Sequence, residues 1–237
     1  MIIRKEKDAL LFVTQPDHAA LAAEIMGQWR GHSLVDHPRR QEILRAVHEH
    51  DNGWIEEDRE THVDHDGVPL DFISVPAEVK HRIWPRAVGR IAAERGYEAA
   101  LIAQHALTVH QTQRAEPSWR AFFDTMSRLR ANCLAGQPRL ARGRFLADYR
   151  FVRIGDLLSL VFCNGWSEPH DLPDGRRTIL MGPTLRVSPD PFGGASVALR
   201  VPARRVPARR YASTDALRAA LEAAPFETLE GQVTGGS

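Results

Sequence analysis

Four ionisable residues occupy the apolar faces of predicted helices: His18, the adjacent pair His50 and Asp51, and Asp156. An unpaired charge buried on such a face costs several kcal/mol, so each of these side chains needs a partner. Two imidazoles and two carboxylates that converge from separate helices form a ligand set for a divalent metal ion with open coordination positions. The residue types and their placement therefore predict a metal centre.

Three predicted helices position these residues. His18 leads the apolar stripe of a helix that begins near Pro16. The His-Asp pair closes a second helix, over about 38–51, which the following Asn-Gly ends. Asp156 is the only acid in FVRIGDLLSLVFC, a run that is apolar almost all round and so predicts a central helix over about 145–163.

Each of these residues also has a structural interpretation that needs no metal. His18 could cap its helix beside Asp17, and Asp156 could pair with Arg153 or with a buried serine. Asp156 is the hardest to explain in this way, because the residues that share its helical face carry no positive charge.

The composition is that of an ordinary globular protein. The chain has 237 residues, of which 43% are hydrophobic and 26% charged, with a net charge of +1. This balance does not favour binding to nucleic acid or to an acidic membrane surface, and no apolar run is long enough to span a membrane. The two isolated cysteines, Cys133 and Cys163, do not suggest a disulfide framework. We therefore expect a soluble cytoplasmic protein.

The periodicity of apolar residues predicts a mainly α-helical fold. A helical domain over 1–164 would begin with a short hairpin at 1–14, and a small β-containing C-terminal appendage would occupy 165–237. The appendage could pair with the N-terminal hairpin. Further helices are predicted over about 77–94, 97–111, 117–136 and 214–224, and the basic segment PRLARGR is predicted to be a loop.

The order of these residues resembles a known pattern. A His, an adjacent His-Asp pair about thirty residues later, and a distant Asp in a hydrophobic helix are typical of the HD-domain metal-dependent phosphohydrolase superfamily. The matching segments here are QPDHAALA, AVHEHDNGW and RIGDLLSL. The combination of EHDNGW, GVPLDF, IAQHAL and IGDLLSL also resembles, over most of the chain, the bacterial family called domain of unknown function 3891.

The resemblance to HD-domain proteins implies an HD-like helical bundle in which His18, His50, Asp51 and Asp156 are the metal ligands. It adds His105, because dinuclear HD enzymes place further histidines between the His-Asp pair and the last Asp. Those enzymes usually add two or more, whereas here only His105 lies on a predicted inward face. This histidine would hold a second metal ion, bind a substrate phosphate, or bind a water molecule beside the metal.

The function implied by this resemblance is metal-dependent hydrolysis of a phosphoester in a small, anionic molecule. Asp51 and His105 would take part in catalysis. Asp58 could act as a general base, although a solvated loop acid is the simpler interpretation. Ligands with nitrogen and oxygen donors allow Mn²⁺, Fe²⁺, Mg²⁺ or Zn²⁺.

Two other functions stay open at this point. A di-iron oxygenase of the HD type needs six protein ligands, whereas five candidates are present, and a metal-stabilised binding module would need no catalytic residue at all. Nucleic-acid binding is not favoured, because the arginines over 200–210 are not interleaved with aromatic residues.

Overall fold

A computed structural model describes residues 1–236. Within this range the chain forms eight α-helices and seven β-strands. The helices are α1 (Gln15–Gly27), α2 (Arg40–Glu49), α3 (Glu57–Glu60), α4 (Ala77–Ile91), α5 (Gly96–Val109), α6 (Arg120–Ala135), α7 (Arg139–Asn164) and α8 (Thr214–Ala223). The strands are β1 (Ile2–Lys5), β2 (Ala9–Val13), β3 (His170–Asp171), β4 (Arg177–Met181), β5 (Thr184–Ser188), β6 (Ser196–Pro207) and β7 (Phe226–Gly235).

All of these strands belong to one sheet, in the order β1-β2-β6-β7-β5-β4-β3. Neighbouring strands are antiparallel except β5 and β7, which run parallel. The N-terminal hairpin joins the C-terminal strands through β2 and β6, with Ala9 opposite Pro207 and Phe12 opposite Arg204.

The prediction of a mainly α-helical fold is wrong, because this sheet makes the protein a mixed α/β structure. One face of the sheet packs on the helices, and a single hydrophobic cluster contains Leu199 and Val201 of β6 together with Ile25 of α1 and Leu158 of α7. Strands β4, β5 and β6 bury mostly alternate residues, so they contribute little to a count of helical apolar periodicity, although all three provide residues of the core.

Helix α7 is longer than predicted, because it begins at Arg139 and includes the basic segment that we expected to be a loop. Ala141 in that segment and Phe145 directly after it are buried in the core, whereas the arginines between them are exposed. An apolar pair four residues apart with exposed polar neighbours is what an amphipathic helix requires. The helix ends at Gly165, whose φ of 71° lies in the left-handed region that favours glycine.

A glycine allows α7 to cross close to α1 and α2. A Cβ atom added at Gly155 would lie 2.8 Å from the Met26 side chain of α1 and 3.0 Å from the Val47 side chain of α2. This close crossing places the next residue, Asp156, beside the histidines that the two other helices carry. In residues 1–236, no helix has the length and apolar character that crossing a membrane demands.

Candidate metal centre

The structure brings five of the predicted site residues together. His18 comes from α1, His50 and Asp51 directly follow α2, His105 lies in α5, and Asp156 lies in α7. All five are buried, and the most accessible of them, Asp156, is 9% exposed. Polar side chains with this degree of burial must satisfy one another or bind a ligand.

The Nε2 atoms of the three histidines all face the two carboxylates. The Nε2 of His18 lies 2.9 Å from Oδ2 of Asp51, and that of His50 lies 3.5 Å from the same oxygen. On the other carboxylate, the Nε2 of His50 lies 3.4 Å from Oδ1 of Asp156, and that of His105 lies 3.7 Å from Oδ2. The five side-chain heads therefore surround one small volume.

Two overlapping triads result from this arrangement. His18, His50 and Asp51 form one triad, and His50, His105 and Asp156 form the other. In each triad the ligand atoms lie within 4.8 Å of one another, which is a separation that a single bound cation could bridge. His50 belongs to both triads.

The opposite nitrogen of each imidazole, Nδ1, is held by a group outside the triads. His50 donates to the carbonyl oxygen of Val47, at 2.6 Å, and Nδ1 of His105 lies 3.3 Å from the Tyr149 hydroxyl. Nδ1 of His18 lies 2.7 Å from the Ser159 hydroxyl. Because that hydroxyl donates to the backbone oxygen of Asp156, it accepts from His18. These contacts orient the Nε2 atoms, as outer partners do in protein metal sites.

The charges of the cluster depend on one another. Burial opposes protonation of His50, but the carboxylates of Asp51 and Asp156 overcome it and raise the pKa of His50 to about 9. Burial favours the neutral form of both acids, yet the neighbouring histidines hold the pKa of each carboxyl below its usual range. Burial lowers the pKa of His105 to about 4. At neutral pH the cluster thus contains two carboxylates and a neutral His105.

The donor set fits a divalent cation. Nε2 of His50 is buried and forms no hydrogen bond within the described part of the chain, although two carboxylate oxygens lie close to it. An unsatisfied buried nitrogen at the centre of two imidazole-carboxylate triads is expected where a metal ion binds. Manganese, iron, magnesium and zinc all accept such nitrogen and oxygen ligands.

A pocket of about 240 Å³ reaches the cluster from the surface. Asp51, His105 and Asp156 contribute to its lining, so a small molecule in the pocket would contact both triads. Aromatic side chains form much of the rest of the wall, namely those of Trp54, Phe72 and Trp84. A concave site with apolar walls and a few convergent polar groups is typical of small-molecule binding.

The structure does not bring Asp58 to this cluster. Oδ1 of Asp58 accepts a hydrogen bond from the amino group of Met1, and Oδ2 accepts one from the backbone N–H of Gln15, both at 2.6 Å. Asp58 belongs to the lining of a neighbouring pocket instead. Its neighbour Glu57 is held by Arg82 through two hydrogen bonds of 2.8 and 2.9 Å.

In the described part of the chain, His18 does not cap its helix, and the Asp156 carboxylate does not pair with Arg153 or with a serine, as their structural interpretations required. The Thr14 side chain caps α1, accepting from the backbone N–H of Asp17, while His18 faces the cluster. Within residues 1–236, Asp156 forms its ion pairs with histidines and none with Arg153. A buried serine is present, but its hydroxyl bonds to the backbone oxygen of Asp156 and not to the carboxylate.

Sequence reasoning missed several polar residues that surround the site. Gln15 is 2% exposed, lines the pocket, and has a buried Oε1 atom without a hydrogen-bond partner among the described residues. Ser159 and Tyr149 orient two of the histidines. Ser159 lies one helical turn after Asp156, which is a usable signal, whereas nothing in the local sequence links Gln15 to the cluster.

A family model described as "Protein of unknown function (DUF3891)" matches residues 1–208. No curated protein and no solved structure matches the chain. These findings confirm the resemblance to the family of unknown function, and none of them links the chain to the HD-domain superfamily.

Proposed function

Because the chain belongs to the DUF3891 family, whose description names no activity, we propose a function from the site itself: metal-dependent hydrolysis of a phosphoester in a small, anionic molecule. One observation supports this proposal above all others. Three imidazole Nε2 atoms and two carboxylates meet at a pocket, while the opposite imidazole nitrogens are anchored elsewhere. Buried groups arranged in this way are suited to hold a cation that a substrate can reach.

The shared histidine limits how the two triads can be filled. One imidazole Nε2 atom can coordinate a single ion, so His50 can complete only one triad at a time. A first ion would take His50 with Asp51 and His18, or with Asp156 and His105. A second ion would retain two protein ligands from the other triad. One ion per chain is therefore the simplest loading.

A divalent ion in this position would act as a Lewis acid toward a phosphoryl oxygen and lower the pKa of water. Asp51 and Asp156 would balance its charge, and both line the pocket. The unpartnered Oε1 of Gln15 would accept a hydrogen bond from the attacking water and orient it. Asp58, which we first considered as a general base, would position Gln15 through its backbone N–H. Trp54 and Trp84 would exclude bulk solvent.

A dinuclear oxygenase of the HD type is the second candidate, and the presence of two adjacent triads is the observation that favours it. The same observation also weakens the oxygenase candidate, because the triads share His50 and together contain five ligand residues, whereas a di-iron oxygenase needs six protein ligands. A non-catalytic, metal-stabilised module is less favoured, since such a site has no need for a pocket that reaches the ligands.

The proposal is tested by measuring metal content before activity. Protein purified without chelator and without a nickel column should contain about one divalent ion per chain by mass spectrometry. The loaded protein should then hydrolyse at least one member of a panel of small phosphomonoesters and phosphodiesters. Oxygen consumption in the presence of ferrous iron would instead favour the oxygenase, and a metal-free protein that binds no divalent ion would refute all three metal functions.

A further inference from the structure

The pocket contains a cation that forms no ion pair with the residues that the structure describes. Lys80 of α4 is half-buried and lines the pocket, where its Nζ donates to the backbone oxygen of Ile73 at 2.6 Å. Within residues 1–236, no carboxylate lies within ion-pair distance of Lys80, although Asp71 is close enough to oppose the effect of burial on the pKa of Lys80. Arg82 and Arg86 of the same helix, by contrast, are paired with glutamates. An ammonium group has three donors, so two of those of Lys80 are available to a ligand.

A second donor lies on the same wall. The indole N–H of Trp84 donates to Nε2 of His110 at 2.9 Å, so a neutral His110 carries its proton on Nδ1. Burial lowers the pKa of His110 to about 3, which keeps the ring neutral under physiological conditions. His110 also lines the pocket, and its Nδ1 has no hydrogen-bond partner in the described chain.

Trp84 separates these donors from the metal ligands. Its ring centroid lies 5.6 Å from that of His105 and 6.0 Å from that of His110. Lys80 precedes Trp84 by about one helical turn and so lies on the same side of α4. Trp84 therefore packs between a histidine of the metal cluster and a hydrogen-bond donor, and Lys80 lies on the same side of α4.

We propose that Lys80 and His110 bind a carboxylate on the substrate, at the opposite end from the phosphoester. This inference rests on the proposed function and specifies its substrate class, which is a phosphoester of a small carboxylic acid whose body lies against Trp84. One cation and one neutral donor match the single charge of a carboxylate better than a second phosphate. The pocket, of about 240 Å³, is smaller than the usual ligand site of about 300–1,000 Å³, so the body must be small.

The test compares phosphonates, which cannot be hydrolysed, in pairs that differ only by a carboxylate. Suitable pairs are methylphosphonate with phosphonoacetate, ethylphosphonate with 3-phosphonopropionate, and phenylphosphonate with 4-phosphonobenzoate. Binding to the metal-loaded protein is measured by calorimetry. In at least one pair we expect the carboxylated member to bind at least about tenfold more tightly. The reason is that hydrogen bonds from Lys80 and His110 to the carboxylate would replace its hydrogen bonds to water.

Substitutions assign this preference to the lysine. Lys80→Met should abolish the preference by lowering the affinity for each carboxylated phosphonate to that for its uncarboxylated partner, and Lys80→Arg should retain most of the preference. Lys7→Met, in the exposed hairpin turn, is the matched control and should behave as the wild type. His110→Gln should reduce the preference without abolishing it.

Failure of this inference can be distinguished from failure of the proposed function. If the phosphonates bind but the carboxylate adds nothing in every pair, the role of Lys80 is refuted and the phosphoester function survives. If the carboxylated compounds bind equally well after metal removal and lose affinity in Lys80→Met, the carboxylate site is supported and the metal-centred function is not. If no compound binds, both proposals are overturned.

Discussion

Nε2 of His50 lies 3.4 Å from Oδ1 of Asp156, and this contact joins the end of α2 to the centre of α7. Both groups are buried, and each shifts the pKa of the other in the direction that favours the ionised pair. Because Asp156 also faces His18 and His105, it lies within ion-pair distance of all three histidines of the cluster.

Asp156→Asn should abolish metal binding while preserving the fold. The amide has the shape of the carboxylate but lacks the negative charge that a divalent ion requires. Metal content by mass spectrometry should fall from about one ion per chain to near zero, and Asp156→Ala should also unfold more easily. Asp124→Asn, on the exposed side of α6, is the control. Equal metal content in Asp156→Asn and the wild type would refute Asp156 as a ligand and would leave His18, His50 and Asp51 as the binding triad.

His105→Ala should distinguish mononuclear from dinuclear loading. If the wild type binds one ion and the variant retains it but loses turnover, His105 contacts substrate or water. A wild-type stoichiometry of two that falls to one would make His105 a ligand and favour the oxygenase. His48→Ala, with a largely exposed imidazole on α2, is the control. If His105→Ala changes neither metal content nor activity, His105 has only a packing role in the core.

Ser159→Ala should weaken metal binding although it removes no ligand. The hydroxyl of Ser159 orients the His18 ring through Nδ1, at 2.7 Å, and loss of such a partner typically costs about 10–100-fold in metal affinity. The dissociation constant can be measured by competition with a metal indicator. Ser118→Ala, an exposed serine, should leave it unchanged. An unaltered dissociation constant in Ser159→Ala would mean that core packing alone orients His18.

Gly155→Ala and Gly143→Ala make the same change in one helix and should have opposite effects. At Gly155 the new methyl group would lie too close to Met26 and Val47, which should lower the free energy of unfolding by about 1–3 kcal/mol. At Gly143 an added Cβ atom would have no neighbour within 4 Å, so the gain in helix propensity should raise the free energy of unfolding by about 0.5–1 kcal/mol. Urea denaturation measures both. An unchanged free energy of unfolding in Gly155→Ala would show that α7 can shift at little cost.

His110 should contribute to the acid sensitivity of the metal-free protein. Its pKa is about 3 in the folded state against 6.5 for an ordinary histidine, so the unfolded chain binds more protons between these values. The stabilisation is complete above pH 6.5 and is lost as the pH falls toward 3, with a slope of at most about 1.4 kcal/mol per pH unit for this group.

His110→Gln should therefore flatten the dependence of unfolding free energy on pH between 6.5 and 4, since glutamine can still accept from Trp84 but does not titrate. His65→Gln is the control, because the His65 side chain is 90% exposed. Denaturant titrations at several pH values measure the slope. Identical slopes in His110→Gln and the wild type would show that this histidine is protonated equally in both states.

The sequence by itself determined the helical elements around the site and the residues that form the cluster. A helix places residues three and four apart on one face, so an ionisable residue within an apolar stripe is recognisable without knowledge of its partners. His18 and Asp156 were identified in this way. His105 came from the family resemblance, and the structure places it beside Asp156.

Only the tertiary structure decided which elements meet. The sheet depends on the pairing of β2 with β6, strands at opposite ends of the chain, and no local pattern encodes such a register. The positions of Asp58 outside the cluster and of Lys80 in the pocket wall were likewise decided by packing. Local sequence indicates whether a side chain is buried, but the contact of Asp58 with Gln15, and the lack of an ion pair to Lys80 within residues 1–236, arise from packing between distant segments.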